Sequence, residues 1–293
     1  MTGSILVTGA TGTVGRHVAR GLSDTDVDVR AGVRSVERAP ETLPDGVDPI
    51  QFDFEKPETW GRAFQGVDAM FLVRPPEMTR VHRHLTPAVD AAARVGVEHV
   101  VFLSVLGAEK NPLLPHRRIE RHLEASGLPY TFLRASFFMQ NFYVVHGGDI
   151  TERGELFVPA GDGETSFVDA RDVAAVGVEA LVDPAHRNQA YDVTGSEALT
   201  YGDAAAVFSD VLDREIEYAD PGLVEFIVTT TSRGVSLPFA LVQAVVYTTA
   251  RLGLASRVTD DVLRVLGRPP RSLDEFIRDH ASEFHQRTTE HPL

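Results

Sequence analysis

Short apolar runs alternate with amphipathic stretches through the first half of the chain. Ser4-Ile5-Leu6-Val7-Thr8 is continuously apolar at its centre and reads as a buried strand. Val14, Val18, Ala19 and Leu22 then recur at helical spacing. Residues 27–34 place Val27, Val29, Ala31 and Val33 at period two. A polar loop with Pro40 and Pro44 leads to a short strand over about 50–53, and Pro57 starts a helix to about residue 65. Residues 69–73 are apolar and close on Arg74-Pro75-Pro76. A helix over about 80–95, a strand over 100–104, a helix over 117–125 ending at Gly127, and a strand over 130–134 complete the rhythm. This succession predicts an α/β fold, a Rossmann-type doubly wound parallel sheet with helices on both faces.

The pattern changes after residue 136. Short strands are expected near 156–158, 165–168, 189–194 and 215–218, with helices near 172–181 and 201–212 and a mostly helical final stretch. The chain thus divides into a parallel-sheet region of Rossmann type over 1–136, with a return contribution from about 165–194, and a smaller, mostly helical region over 137–293. The polar tail from about residue 285 is expected to fray.

The loop after the first strand carries the first chemistry. Gly9-Ala10-Thr11-Gly12-Thr13-Val14-Gly15 spaces its glycines as Gly-x-x-Gly-x-x-Gly, straight after a strand and opening an amphipathic helix. Glycine takes the turn positions without a Cβ clash. Backbone N–H groups at a helix N-terminus then suit a pyrophosphate, with Thr11, Thr13 and Val14 beside the glycines. Arg34 ends the second strand, where an acidic residue would select the ribose of NAD. An arginine there pairs with the 2′-phosphate of NADP, or else is a solvated loop residue. Asp53, followed by Phe54, either accepts from the adenine amino group beside an apolar wall or is a turn residue. Val73, Arg74 and Ser104 close the fourth and fifth strands, where a nicotinamide belongs. Ser104 is placed to donate a hydrogen bond, although serine also closes strands for turn reasons.

Composition narrows the function classes. The formal charge is −14, which disfavours nucleic acid as a direct partner. No cysteine is present, so thiol catalysis and cysteine-based metal sites are excluded. None of the 11 histidines pairs at the spacing of a helical metal site, and no metal is expected. The first strand begins almost at once, so no targeting segment is expected. Residues 239–255 are apolar but contain Gln243 and Arg251 and are too short for a bilayer. A soluble, cytoplasmic protein follows.

At this point the chain resembles the NmrA-like branch of the atypical short-chain dehydrogenases. The resemblance rests on residues 5–15, on His99-Val100-Val101-Phe102-Leu103-Ser104, and on residues 119–134 continuing through Phe137-Phe138-Met139-Gln140-Asn141. It extends through Gly161-Asp162-Gly163, Phe167-Val168-Asp169 and Arg171-Asp172-Val173-Ala174. The ending, Thr259-Asp260-Asp261-Val262 with Gly267-Arg268-Pro269-Pro270 and Ser272-Leu273-Asp274-Glu275-Phe276, is similar to the family's quinone-oxidoreductase-like members. The resemblance implies NADPH as cofactor and hydride transfer to a quinone-like acceptor. It equally covers members that bind the dinucleotide without turnover and regulate a protein partner.

Dehydrogenases with a Tyr-x-x-x-Lys pair place both side chains on one helix face. Neither Lys56 nor Lys110 has a tyrosine four residues before it. Counting back from Ile119-Glu120, the resemblance puts His116 where many relatives keep a lysine and Pro112 at the tyrosine position. His116 either exchanges a proton near neutral pH or simply starts a surface helix. A quinone oxygen can take its proton from water, so the missing tyrosine does not exclude that acceptor. Phe137, Phe138, Asn141 and Phe142 suit a flat aromatic substrate, or else form core. Arg134 is a candidate for a buried structural ion pair.

Overall fold

The computed structural model describes residues 3–39 and 42–284. The expectations for Pro40 and for the tail from 285 therefore lie outside the described residues. In chain order the elements are β1 (Ser4–Thr8), α1 (Gly15–Ser23), β2 (Asp28–Val33), β3 (Val47–Gln51), α2 (Trp60–Phe64), β4 (Ala69–Val73), α3 (Val81–Arg94), β5 (His99–Val105), α4 (Pro115–Ser126) and β6 (Tyr130–Ala135). They continue as β7 (Phe137–Phe138), α5 (Asn141–Val144), β8 (Glu155–Phe157), β9 (Phe167–Val168), α6 (Ala170–Val182), β10 (Gln189–Val193), α7 (Tyr201–Leu212) and β11 (Glu217–Ala219). Four helices follow: α8 (Leu223–Ser232), α9 (Leu237–Arg251), α10 (Asp261–Leu266) and α11 (Leu273–Asp279).

The chain forms two compact units. One holds the chain to Ala135 with Ala170–Val193 and Asp261–Pro269. Its seven-stranded sheet runs β10-β6-β5-β4-β1-β2-β3, and every pairing is parallel. Because β1 is flanked by β2 on one side and β4 on the other, strand order reverses there. The crevice at such a switch point is where α/β sheets bind ligands. One face carries a core built by Leu6, Phe52, Phe64, Leu72, Leu85, Val89, Phe102, Ile119, Leu123 and Phe132 from β1, β4, β5, β6 and helices α2 to α4. The other face is covered by α1 and α6, which pack on each other. Gly177 of α6 lets that helix close on Leu133, Phe71 and Val18, which a Cβ would reach at 3.2–3.6 Å.

β3 begins at Val47 rather than near residue 50, with Pro49 inside it. Proline is tolerated because β3 is an edge strand and needs no second row of amide donors. The late return of the chain is tied by charge. Asp261 accepts from the Asp192 amide at 2.7 Å, and Arg268 meets the fully buried Asp172 at 2.8 Å.

The second unit holds Ser136–Asp169, Thr194–Asp260 and the chain from Pro270. Its two small sheets pair β7 with β9 and β8 with β11, both parallel. An aromatic core holds it together, with Phe167, Phe142, Phe208 and Phe284 in successive ring contacts and Tyr201 set edge-on to Phe167 and Tyr247. Among the described residues no helix is long and apolar enough to cross a membrane, and no cluster of three or more His, Asp or Glu side chains could hold a metal.

Candidate functional site

The glycine turn at the end of β1 is built for close approach of backbone. Gly9 has φ +64°, the left-handed region, and Val73 lies 3.3 Å from where its Cβ would be. The Gly12 amide donates to the Gly9 carbonyl at 2.9 Å. A Cβ on Gly15 would lie 2.2 Å from that same carbonyl oxygen, so α1 can start there only with glycine. The residue before α1 is Val14, whose side chain cannot cap the helix, and it makes no side-chain cap hydrogen bond. Thr11 and Gly12 are exposed and Thr13 is half-buried. The result is an uncapped helix N-terminus behind a bare glycine rim, the arrangement that receives a phosphate. Thr8 holds the crevice in register. Its hydroxyl donates to the Phe71 carbonyl at 3.0 Å and accepts from the Val73 amide at 2.8 Å. Sequence reasoning missed Thr8, although a polar residue closing an apolar strand was a visible signal.

The ends of β2 and β3 are only partly as expected. Arg34 is exposed immediately after β2. The neighbouring Ser35 hydroxyl donates to Glu37 at 2.7 Å. That hydrogen bond, first among the causes, lowers the Glu37 pKa. Asp53 accepts from the Glu55 amide at 3.0 Å and stands 3.9 Å from Lys56 Nζ. It therefore fills the turn role left open by the sequence. Phe54 is corrected. Its ring is 7% exposed and meets Phe52 edge-on at 4.8 Å, so it belongs to the core and offers no wall to an adenine.

The ends of β4 and β5 meet the start of α4. Arg74 Nε donates to His116 Nε2 at 3.4 Å, while its Nη1 donates to the carbonyls of Pro75, Pro76 and Met78 at 2.8–2.9 Å. A guanidinium can only donate, so Nε2 is the acceptor and the ring proton resides on Nδ1. Phe102 stacks on the imidazole at 6.1 Å. Burial, and then the adjacent Arg74 charge, push His116 down to about 4. The expectation of proton exchange near neutral pH is thereby corrected, because the ring is neutral there. His116 is a fixed N–H donor.

Ser104 is corrected as well. It is 1% exposed and donates to Glu120 Oε1 at 2.7 Å. It shares strand parity with Phe102, which faces α4, so its hydroxyl is turned to that helix. Glu120 is fully buried and also accepts from Arg117 at 3.0 Å and from Arg134 Nε and Nη2 at 3.0 and 3.1 Å. Arg134 is thus the buried structural pair foreseen. The hub at Glu120 was missed, and its signal was a carboxylate between Ile119 and Leu123 on the buried face of α4.

In the second unit Phe137, Phe138 and Asn141 are half-buried. Phe142 is corrected from substrate contact to core. It is 2% exposed and lies 5.1 Å from the Phe167 ring and 5.0 Å from the Phe208 ring.

With this geometry established, residues 1–284 match the NmrA-like family. The chain belongs to that family. It is 36% identical to an NAD(P)H azoreductase from Xenophilus azovorans over 288 residues, covering 96% of this chain and 99% of that protein. Among solved structures, triphenylmethane reductase from a Citrobacter species complexed with NADP(H) superposes with a TM-score of 0.83 at 28% identity, covering 94% and 99%. The NADPH complex of an NADPH-dependent quinone oxidoreductase from Escherichia coli gives 0.84 at 26% identity, covering 95% and 99%.

Proposed function

We propose that this protein is an NADPH-dependent reductase that passes hydride to a conjugated, quinone-like small molecule. The observation that carries the reading is the cradle of Gly9, Gly12 and Gly15, where a side chain at Gly15 would occupy the same space as a backbone carbonyl. Such an opening, straight after β1 at the switch point of a parallel sheet, fits the diphosphate of a dinucleotide. The relatives support the choice, since their names describe NAD(P)H- or NADPH-dependent reduction of azo compounds and quinones, or an NADP(H) complex of a triphenylmethane reductase.

Gly9, Thr11, Gly12, Thr13, Val14 and Gly15 hold the pyrophosphate in this reading. Arg34 meets the 2′-phosphate, and it acts without Ser35, whose hydroxyl is engaged by Glu37. Val73 and Arg74 flank the nicotinamide side. The cofactor supplies the hydride. The chain's own contribution is to align the acceptor and to present the His116 Nδ1–H as a neutral hydrogen-bond donor to it. With His116 neutral at that pH and the Tyr-x-x-x-Lys pair absent, an acceptor whose reduced oxygen takes its proton from water fits, and a simple ketone does not. A cytoplasmic location accompanies this reading.

The decisive assay follows NADPH oxidation with a panel of quinones and azo dyes. Turnover of at least one conjugated acceptor, with simple ketones inert, is the expected result. Tight NADPH binding with no turnover of any acceptor would sink the enzyme and leave a dinucleotide-sensing role with a protein partner, tested by capture that differs between NADP and NADPH.

A further inference from the structure

Helix α9 is built inside out. Its buried stripe is Ala240, Gln243, Ala244, Tyr247 and Ala250. Its solvent side carries the larger apolar residues, with Leu241, Val242, Val245 and Val246 exposed at 47%, 58%, 67% and 38%. Leu237 and Phe239 extend this face at its N-terminal end, each about half exposed. A helix that is apolar all round belongs in an interior. Helix α8 packs beside α9 and adds exposed Val224 and Val228. The two helices form a hairpin turned at Arg233-Gly234-Val235-Ser236, with Gly234 at φ +94°.

Charge is nearly absent from this hairpin. Between Leu223 and Arg251 the only charged residues are Glu225, Arg233 and Arg251, in a chain of net charge −14. Arg233 is already paired, to Asp149 at 2.7 Å and Glu155 at 3.0 Å. Two copies of so acidic a chain repel one another over most of their surface, and this face escapes that repulsion. A standard stable interface takes about 800 Å² from each partner, and here eight large apolar side chains are exposed at 38–76% on one hairpin. That is well beyond the scattered apolar exposure of a monomer surface.

We infer that the outward face of the α8–α9 hairpin is the interface of a two-fold symmetric homodimer. An isologous contact places the same patch on both partners, so the apolar α9 stripe, which carries no charged residue before Arg251, is complementary to itself. Two such hairpins meeting face to face form a four-helix layer, with the α9 helices at its centre. Leu241, Val242, Val245 and Val246 are the buried anchors.

Sedimentation equilibrium of the full chain tests this, and a mass of twice 32.0 kDa is expected. Val242→Glu with Val245→Glu should return the protein to the monomer mass with unchanged far-UV circular dichroism. The absence of native cysteine adds a second arm that needs no disruptive change. Single cysteines at Leu241, Val242, Val245 and Val246 are oxidised in turn. At least one should trap a covalent dimer, while Val95→Cys, 51% exposed on α3's end, should not. A wild type that stays monomeric up to about millimolar concentration overturns the proposal, as does a dimer that survives both glutamates and resists cross-linking at all four positions. A monomer that instead sediments with neutral phosphatidylcholine vesicles overturns it too, and assigns the face to a lipid surface.

Discussion

Two polar clusters lie at the carboxyl ends of the parallel strands, and they are built in opposite ways. At the end of β1 the chain strips away side chains. Gly9, Gly12 and Gly15 expose backbone, and Val14 leaves the start of α1 uncapped. At the ends of β5 and β6 the chain gathers its donors on one carboxylate. Ser104, Arg117 and Arg134 all donate to the buried Glu120. The first cluster has polar capacity to spare and can bind; in the second, Glu120 accepts four hydrogen bonds and its role is to hold. A polar residue at a strand end is therefore informative about function only once its partners are known, because a satisfied group has little left to offer a ligand.

The contrast can be broken most severely at Gly15. Gly15→Ala places a Cβ 2.2 Å from the Gly9 carbonyl oxygen and must shift the turn. NADPH affinity should fall about 100-fold or more, a loss of at least ~2.7 kcal/mol, read by fluorescence titration. An unchanged affinity would mean that the turn does not hold the cofactor. Glu120→Ala should do the reverse. It takes the shared carboxylate from Arg117 and Arg134, which keep Glu124 at 2.8 Å and Glu109 at 3.7 Å, and should cost about 3 kcal/mol in urea unfolding. NADPH affinity should change little. If binding collapses while stability holds, Glu120 belongs to the binding site and the distinction fails.

Acid should weaken the fold through the buried His99 and His146 and the half-buried His116. Burial pushes His99, His116 and His146 down to about 4, with added repulsion from Arg187 and His186 at His99 and from Arg74 at His116. Their folded values lie below the ordinary 6.5, so between 6.5 and about 4 the unfolded chain binds more protons. Stability should be full above 6.5 and fall as the pH drops towards 4. His146→Gln, which removes the histidine bonded to Tyr247 at 2.7 Å, should flatten part of that slope in thermal melts at stepped pH. A slope identical to wild type would mean that His146 titrates normally. Smallest of all should be Arg34→Ala, an exposed change with no expected effect on stability. NADPH should bind about tenfold more weakly, ~1.4 kcal/mol, with NADH unaffected. Equal losses for both would remove Arg34 from the 2′-phosphate.

Much of the fold was legible in the chain. The apolar runs at 4–8 and 69–73 are strands at those bounds, and the glycines at 9, 12 and 15 announced the turn, because strand burial and left-handed turns depend on local residue types. The candidate site was legible only where backbone makes it. Side-chain roles went astray at Ser104, Phe54 and Phe142, each close in sequence to a strand end yet buried against distant residues.

The sequence by itself determined the parallel α/β architecture, the dinucleotide turn and the absence of a Tyr-x-x-x-Lys pair, all of which follow from short-range pattern and spacing. Tertiary structure alone decided that Ser104 serves Glu120, that Arg74 fixes the His116 proton on Nδ1, and that α9 shows its larger residues to solvent. The reason is physical. A residue's conformational preference is carried by its neighbours in the chain, whereas its hydrogen-bond partners, its charge state and the face it buries depend on residues that only folding brings near.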